Sequence, residues 1–228
     1  MNFKLLDNPG WYALNSYHRH LAIRGDITAR YQPDILMGAA MPEYNQAGFN
    51  DLKSIVEPDE VVGLICESLP EDLSGWEVLM ANPLPQLVCE ELKSNARVDA
   101  VELTMDDVPE MLELIALAQP GPFLSRTIEV GRYIGVRQDG RLVAMGGERL
   151  HLPGFCEISA VCSHPDYRGR GYGGALTAMA ARSIMARNEI PFLHHEATNH
   201  AANCLYNRLG FKKRKELSVV ILKKTTSD

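Results

Sequence analysis

The stretch CEISAVCSHPDYRGRGYGG, residues 156–174, decides the fold of this chain. It begins with a β-forming run from Cys156 to Cys162 and ends in a glycine-rich turn from Arg168 to Gly174. Apolar residues then recur at helical spacing as far as about Arg187. A strand, a glycine-rich turn and a helix N-terminus together form an anion site, because backbone N–H groups and the positive end of the helix dipole converge. The stretch therefore predicts a phosphate-binding turn.

The segments on either side predict a mixed α/β (α+β) fold. Asp139-Gly140 between two β-type runs is a hairpin signal, and Gly210 follows an apolar helical pattern that it would end. The predicted strands are 98–103, 133–136, 142–145, 156–162, 191–197 and 216–224, and the predicted helices start at Thr104, after Gly171 and at Asn199.

The first part of the chain has a different character, and we place a domain boundary in the polar stretch 90–96. Strands are predicted at 61–66 and 76–80, so residues 1–96 form an N-terminal α/β segment and residues 97–228 a second domain. A degenerate copy of the second domain's fold is one interpretation of residues 1–96. We expect this segment to shape a substrate pocket, with Trp11, Tyr12, Tyr17 and Tyr31 exposed.

Composition narrows the classes of function. The net charge of −6 over 228 residues argues against a surface built for nucleic acid or anionic lipid. The five cysteines form no C-x-x-C pair, so neither a disulfide framework nor a metal site is expected. With no signal-like start and no apolar run long enough for a bilayer, we expect a cytoplasmic protein without nucleic-acid or membrane partners. A homodimer is one possible assembly of the chain.

The glycine-rich turn has three interpretations. The glycines could simply permit a tight turn at a helix start, with Arg168 and Arg170 as solvated surface residues. Gly169, Gly171 and Gly174 also fit G-x-G-x-x-G, the fingerprint of dinucleotide-binding folds. Against that, residues 163–168 separate the turn from the preceding strand, and too little chain follows residue 196 for further βαβ units.

The third interpretation is a resemblance to a known family. Arg168, Gly171 and Gly173 fill the places of the phosphate-binding signature of the GNAT superfamily of N-acetyltransferases. Asn199, Tyr206 and the Leu-Gly-Phe ending at 209–211 resemble the family's late helix. The resemblance covers roughly residues 97–224 and is closest to the glycine N-acyltransferase-like branch, in which a second α/β segment precedes the catalytic domain.

The resemblance implies a GNAT-type fold that uses acetyl-CoA as co-substrate without a metal. Backbone groups at the end of the 156–162 strand would bind the pantetheine arm as if it were an added strand, with an N–H near Val161 facing the thioester oxygen. Asn199 would also contact the arm, although an asparagine before a helix is as often its N-cap. The implied cofactor-binding residues are Val161, Cys162, Arg168, Gly169, Arg170, Gly171, Tyr172, Gly173, Gly174, Asn199 and Ala202.

The family resemblance also implies the catalytic acid. Tyr206 would protonate the sulfur of coenzyme A, since a phenol with a pKa near ~10 is protonated at neutral pH. A tyrosine with its ring packed in the core is the alternative.

The sequence identifies the general base less clearly than the acid. Glu157 stands eleven residues before Arg168, the offset at which some family members carry a catalytic glutamate, and alternation places it on one strand face with Ser159 and Val161. Glu196, predicted to share a strand face with His194, is a second candidate, and a water chain is a third. His195 is predicted to point the other way.

These observations predict an N-acetyltransferase that transfers the acetyl group of acetyl-CoA to a primary amine. Cys162 could suggest a covalent acyl-enzyme, but no histidine stands at a defined spacing from it, so direct attack is favoured. A non-catalytic coenzyme A-binding sensor and a nucleotide-dependent oxidoreductase are the alternatives. The acceptor, a small-molecule or peptide amine, is open.

Overall fold

A computed structural model describes residues 1–226 of the chain, and one eight-stranded sheet organises it. The strands of this sheet are β4 (Val61–Cys66), β5 (Trp76–Val88), β6 (Val101–Leu103), β7 (Tyr133–Gln138), β8 (Arg141–Leu152), β9 (Phe155–Ser163), β10 (Ile190–His194) and β11 (Lys212–Lys224). Their order in the sheet is β4-β11-β5-β10-β9-β8-β7-β6, in which β9 and β10 run parallel and the other neighbours antiparallel.

Helices cover both faces of the sheet. The helices are α1 (Pro9–Leu14), α2 (Gln46–Ser54), α3 (Val108–Ala118), α4 (Tyr172–Ala186) and α5 (His200–Leu209). On one face, Cys156 and Ile158 of β9 pack with Ile184 of α4 and Leu209 of α5. On the other face, Phe155 packs with the N-terminal residues that include Leu14. The alternation along β9 thus sorts its side chains between the two layers.

The residues before the stretch 90–96 contribute strands to two sheets. Strands β1 (Ala22–Arg24), β2 (Ala29–Tyr31) and β3 (Ala39–Ala40) form a small separate sheet. Strand β5, in contrast, lies between β10 and β11, so the main sheet continues across the stretch 90–96. The core is therefore built jointly by residues on both sides of that stretch.

The predicted mixed α/β fold is confirmed, with corrections to several elements. Strand β5 continues to Val88, and β11 begins at Lys212. Strand β10 ends at His194, so the predicted strand to 197 is too long. Tyr31 is 1% exposed, in contrast to the expected surface position, because its ring lies in the core beneath α1.

Gly210 ends helix α5 as predicted. Its φ of 105° is left-handed, and a Cβ there would lie 2.3 Å from the carbonyl oxygen of Glu91. A glycine lets the segment that follows β5 pass close to the helix end, where the N–H of Lys93 donates to the carbonyl of Leu209.

Candidate functional site

The two parallel strands part in the middle of the sheet. Their pairing runs from Ile190 opposite Phe155 to Phe192 opposite Glu157 and stops there. Beyond this point β10 remains paired with β5, and β9 remains paired with β8. The edge of β9 from Ile158 onward therefore presents backbone N–H and C=O groups to a gap between the strands, which we call the split.

A β-bulge shapes β9 beside the split. Ser159 of β9 pairs with Gly147 of β8 and Cys162 pairs with Met145, so β9 holds one residue more than β8 between these two pairs. Ala160, within this segment of β9, has a φ of 54°. Because the extra residue breaks the alternation, Val161 packs on the α4 side and Cys162 on the α3 side. The prediction that Val161 shares a face with Glu157 is therefore wrong.

The glycine-rich turn lies at the N-terminus of α4. Gly169 and Gly171 have φ values of 77° and 82°, which a residue with a side chain rarely adopts, and nothing lies within 4 Å of a Cβ added at either. The N–H groups of Tyr172, Gly173 and Gly174 in the first turn of α4 donate to no acceptor within residues 1–226. The turn thus offers N–H donors without a protein acceptor at the positive end of a 15-residue helix.

The arginines of the turn are exposed, as an anion site requires. Arg168 projects from the turn, and the guanidinium of Arg170 lies 4.5 Å from the centroid of the Tyr167 ring. The dinucleotide alternative is not supported, because the turn follows the 3-10 helix Pro165–Tyr167 rather than a strand, and within residues 1–226 the main sheet has one parallel pair.

Tyr206 lies on α5, on the side of the sheet that α4 covers. Its ring packs against Phe211, and burial raises the pKa of its phenol, which keeps the hydroxyl protonated at neutral pH. Its neighbour is His195, whose ring centroid lies 6.0 Å away. This position agrees with the prediction that His195 points away from His194. No pattern in the sequence, however, indicates a catalytic role for His195.

His195 presents an unpartnered nitrogen. Its Nδ1 donates to the carbonyl of Glu196 at 2.8 Å, so in the neutral ring Nε2 carries the lone pair. This Nε2 is buried and has no hydrogen-bond partner within residues 1–226. A buried acceptor without a partner is costly, so a movement of the ring that brings Nε2 into contact with a ligand or water would be favourable. In the sequence, only the alternation within the predicted strand 191–197 indicates the direction in which the His195 side chain points.

Glu157 lies on the opposite face, where its carboxylate is fully occupied. Arg149 donates to it through Nε at 2.8 Å and Nη2 at 2.7 Å, and the Nδ1 of His194 lies 2.6 Å from Oε1. Burial alone would raise the pKa of Glu157, but Arg149 and His194 outweigh it and hold the pKa at about 2. A carboxylate of such low basicity, already paired with Arg149 and His194, is poorly suited to take a proton from an amine.

The network continues across the sheet. Gln86 on β5 donates to the Nε2 of His194 at 3.1 Å and also to the carbonyl of Leu6 at 2.9 Å. Arg214 on β11 donates to Gln86 at 2.9 Å and pairs with Asp7. Side chains on β8, β9, β10, β5 and β11 are thereby joined to the N-terminal residues.

The structure also shows the surroundings of three other residues predicted from the sequence, Asn199, Glu196 and Cys162. Asn199 is the N-cap of α5, accepting from the N–H of Ala202 at 2.9 Å. Glu196 is exposed and lies beyond the end of β10, so the prediction that it shares a strand face with His194 is wrong. Cys162 is buried, and burial raises the pKa of its thiol to about 12, which disfavours a thiolate.

Residues 1–226 contain no group of three or more His, Cys, Asp or Glu side chains arranged to hold a metal ion. None of the helices in that range combines the length and apolar character that crossing a membrane requires.

The fold and site define the class of the protein, because the structure matches solved acetyltransferase structures over nearly its whole length. A chain from Novosphingobium aromaticivorans, an acetyltransferase assigned to the GNAT family, is 33% identical, with 97% of this chain and 99% of that one covered and a TM-score of 0.90. A GCN5-related N-acetyltransferase from Kribbella flavida shares the fold at 15% identity, with 96% and 95% of the two chains covered and a TM-score of 0.64.

The chain belongs to the GNAT family of acetyltransferases. The FR47-like protein family matches residues 133–220, which include the split, the turn and α5. No curated protein shows significant sequence similarity to the chain.

Proposed function

We propose that the chain is an N-acetyltransferase that transfers the acetyl group of acetyl-CoA to a primary amine by direct attack. The observation that carries the proposal is the split between β9 and β10: a Cβ at Gly173, in the first turn of α4, would lie 3.7 Å from Val161 of β9, and His195, which follows β10, lies beside Tyr206. Family membership supports an acyltransferase, and the placement of these residues supports the donor. The N-terminal α/β segment is the feature that supports kinship with the glycine N-acyltransferase-like branch.

The residues present fit coenzyme A. Its diphosphate would accept from the amides of Tyr172, Gly173 and Gly174, with Arg168 and Arg170 as fork-shaped donors nearby. The pantetheine arm would pair with the open edge of β9 near Val161 and Cys162. Acetyl-CoA supplies the acetyl group as a thioester.

The chain's own groups divide the proton transfers. Tyr206, protonated at neutral pH, would give its proton to the departing sulfur. His195 beside it would accept the proton of the amine at Nε2, directly or through a water, because Nε2 is the nearby acceptor that lacks a partner. Glu157 would act as a positioning residue that holds His194 at the root of the split. The high thiol pKa of Cys162 favours direct attack over a covalent intermediate.

Release of free thiol from acetyl-CoA, measured against a panel of primary amines, tests the proposal. We expect amine-dependent release that falls by about 10²-fold in His195→Gln, the low end of what a general base contributes. His200→Gln, an exposed histidine on the next helix, is the matched control and should retain activity. A chain that binds acetyl-CoA but releases no thiol with any amine would be a sensor, and the proposal would fail.

A further inference from the structure

An apolar cavity of about 310 Å³ lies beneath the N-terminal residues. Leu14 and Tyr31 line it from the N-terminal side, Leu64 and Val219 from β4 and β11, and Leu150 from β8. Leu14, Tyr31 and Leu64 are at most 1% exposed. The N-terminal segment and the main sheet therefore enclose this space jointly.

Two side-chain contacts connect the cavity to the split. Arg149, which lines the cavity, also holds Glu157, the last residue at which β9 and β10 pair. Pro122 and Leu124 line the cavity as well, and Phe123 between them belongs to the same packed cluster as Ala160 of the bulge. A molecule in the cavity would therefore lie one layer of side chains from the strand segment beside which the acyl group is proposed to lie.

The chemistry of the lining selects an uncharged apolar group. Among the lining residues, all within 1–226, Arg149 carries the only charge, and Glu157 neutralises it. An ammonium group buried there would meet no carboxylate, and its desolvation would be uncompensated. Alkyl or aryl groups, in contrast, would replace water along apolar walls.

We infer that this cavity binds the acceptor, and that the acceptor is a primary amine with an uncharged apolar substituent rather than a polyamine. The inference rests on the proposed function and names its substrate class. The amine itself would remain at the split while the substituent fills the cavity.

Two amines with the same six-carbon chain test the inference. Hexylamine and 1,6-diaminohexane differ only in a second ammonium group, so we expect a kcat/KM roughly 10- to 100-fold higher for hexylamine. Val219→Phe places an aromatic ring in the cavity where valine has two methyl groups, and should lower kcat/KM for hexylamine at least about tenfold, while ethylamine, too short to fill the cavity, is little affected. Val78→Phe is the matched control, because Val78 lies on the adjacent β5, is 45% exposed and does not line the cavity.

Calorimetry of hexylamine binding without acetyl-CoA gives a readout independent of turnover, and Val219→Phe should weaken that binding. Equal use of the two six-carbon amines would overturn the inference, as would equal losses for hexylamine and ethylamine. It would also be overturned if Val219→Phe spared hexylamine and abolished the use of hexanoyl-CoA, since the cavity would then hold the acyl chain. Absence of thiol release with every amine would contradict the proposed function, and hexylamine calorimetry would still decide whether the cavity binds apolar amines.

Discussion

At the scale of single residues, the two catalytic residues predicted from sequence occupy very different environments. Tyr206 is a protonated phenol beside the unpartnered nitrogen of His195, whereas Glu157 is an ionised carboxylate saturated by Arg149 and His194. The position of Tyr206 follows from a motif on a single helix. The pairing of Glu157 could not be predicted, because Arg149 reaches it from a neighbouring strand and no local pattern encodes that contact.

The first prediction concerns Tyr206. Tyr206→Phe should lower kcat by about 10²-fold, because the phenol proton is lost while the ring is retained. Acetyl-CoA binding should stay near normal, since the amides of the turn are untouched. Single-turnover thiol release measures the effect, with Tyr12→Phe on the distant helix α1 as the control. If Tyr206→Phe and wild type were equal when chemistry limits the rate, Tyr206 would have a packing role alone.

The second prediction concerns the stability that Glu157 contributes. Glu157→Gln leaves Arg149, whose side chain is 26% exposed, without its counter-charge and should lower the free energy of unfolding by about 3 kcal/mol at pH 7, the low end of the cost of breaking a buried pair. The contribution is complete above the ordinary carboxyl pKa of 4.5 and is lost as the pH falls toward about 2. Chemical denaturation between pH 2 and 7 should therefore show the two proteins converging in acid.

The matched control for this experiment is Glu216→Gln. Glu216 pairs with Lys213, but their side chains are 52% and 57% exposed, so the loss should stay below about 1 kcal/mol. A loss of similar size in both variants would show that Glu157 does not sit in a buried ion pair.

At the scale of elements, helices and hairpins were the most predictable parts of the fold. Helix α4 after the glycine turn, helix α5 ending at Gly210 and the hairpin at Asp139-Gly140 each have a local signal. The bulge at Ala160 has none, because one extra residue in a strand leaves the composition of that strand unchanged. The pairing of β5 with β10 and β11 could not be predicted either, since it joins segments more than a hundred residues apart.

The third prediction concerns the bulge. Valine is far less tolerant than alanine of the φ of 54° at residue 160, so Ala160→Val should destabilise the fold by about 1–3 kcal/mol. It should also weaken acetyl-CoA binding, because the bulge sets the edge of β9 at the split. Ser159→Val puts the same side chain on the preceding residue, whose φ is not positive, and should cost less. Denaturation midpoints would contradict the account if the two variants were equally stable.

At the scale of the whole molecule, the N-terminal segment and the rest of the chain share one sheet. A fragment that begins at residue 97 lacks β5, which separates β10 from β11, and exposes the open edges of both strands. The fourth prediction is that this fragment neither melts cooperatively nor binds acetyl-CoA. Adding residues 1–96 as a separate chain should restore both properties. A fragment that folds and binds alone would show that the boundary near residue 96 separates independent domains.

The most direct test of the central claim, that acetyl-CoA binds at the turn before α4, is calorimetric titration of two glutamate variants. Gly171 and Gly140 have φ values of 82° and 81°, and nothing lies within 4 Å of a Cβ at either, so Gly171→Glu and Gly140→Glu carry the same backbone cost. The new carboxylate at 171 would repel the diphosphate, whereas the one at 140 lies in the β7–β8 hairpin. We predict that Gly171→Glu weakens acetyl-CoA binding at least about 100-fold and that Gly140→Glu leaves it unchanged. Unchanged affinity in Gly171→Glu, or equal losses in the two variants, would contradict the account.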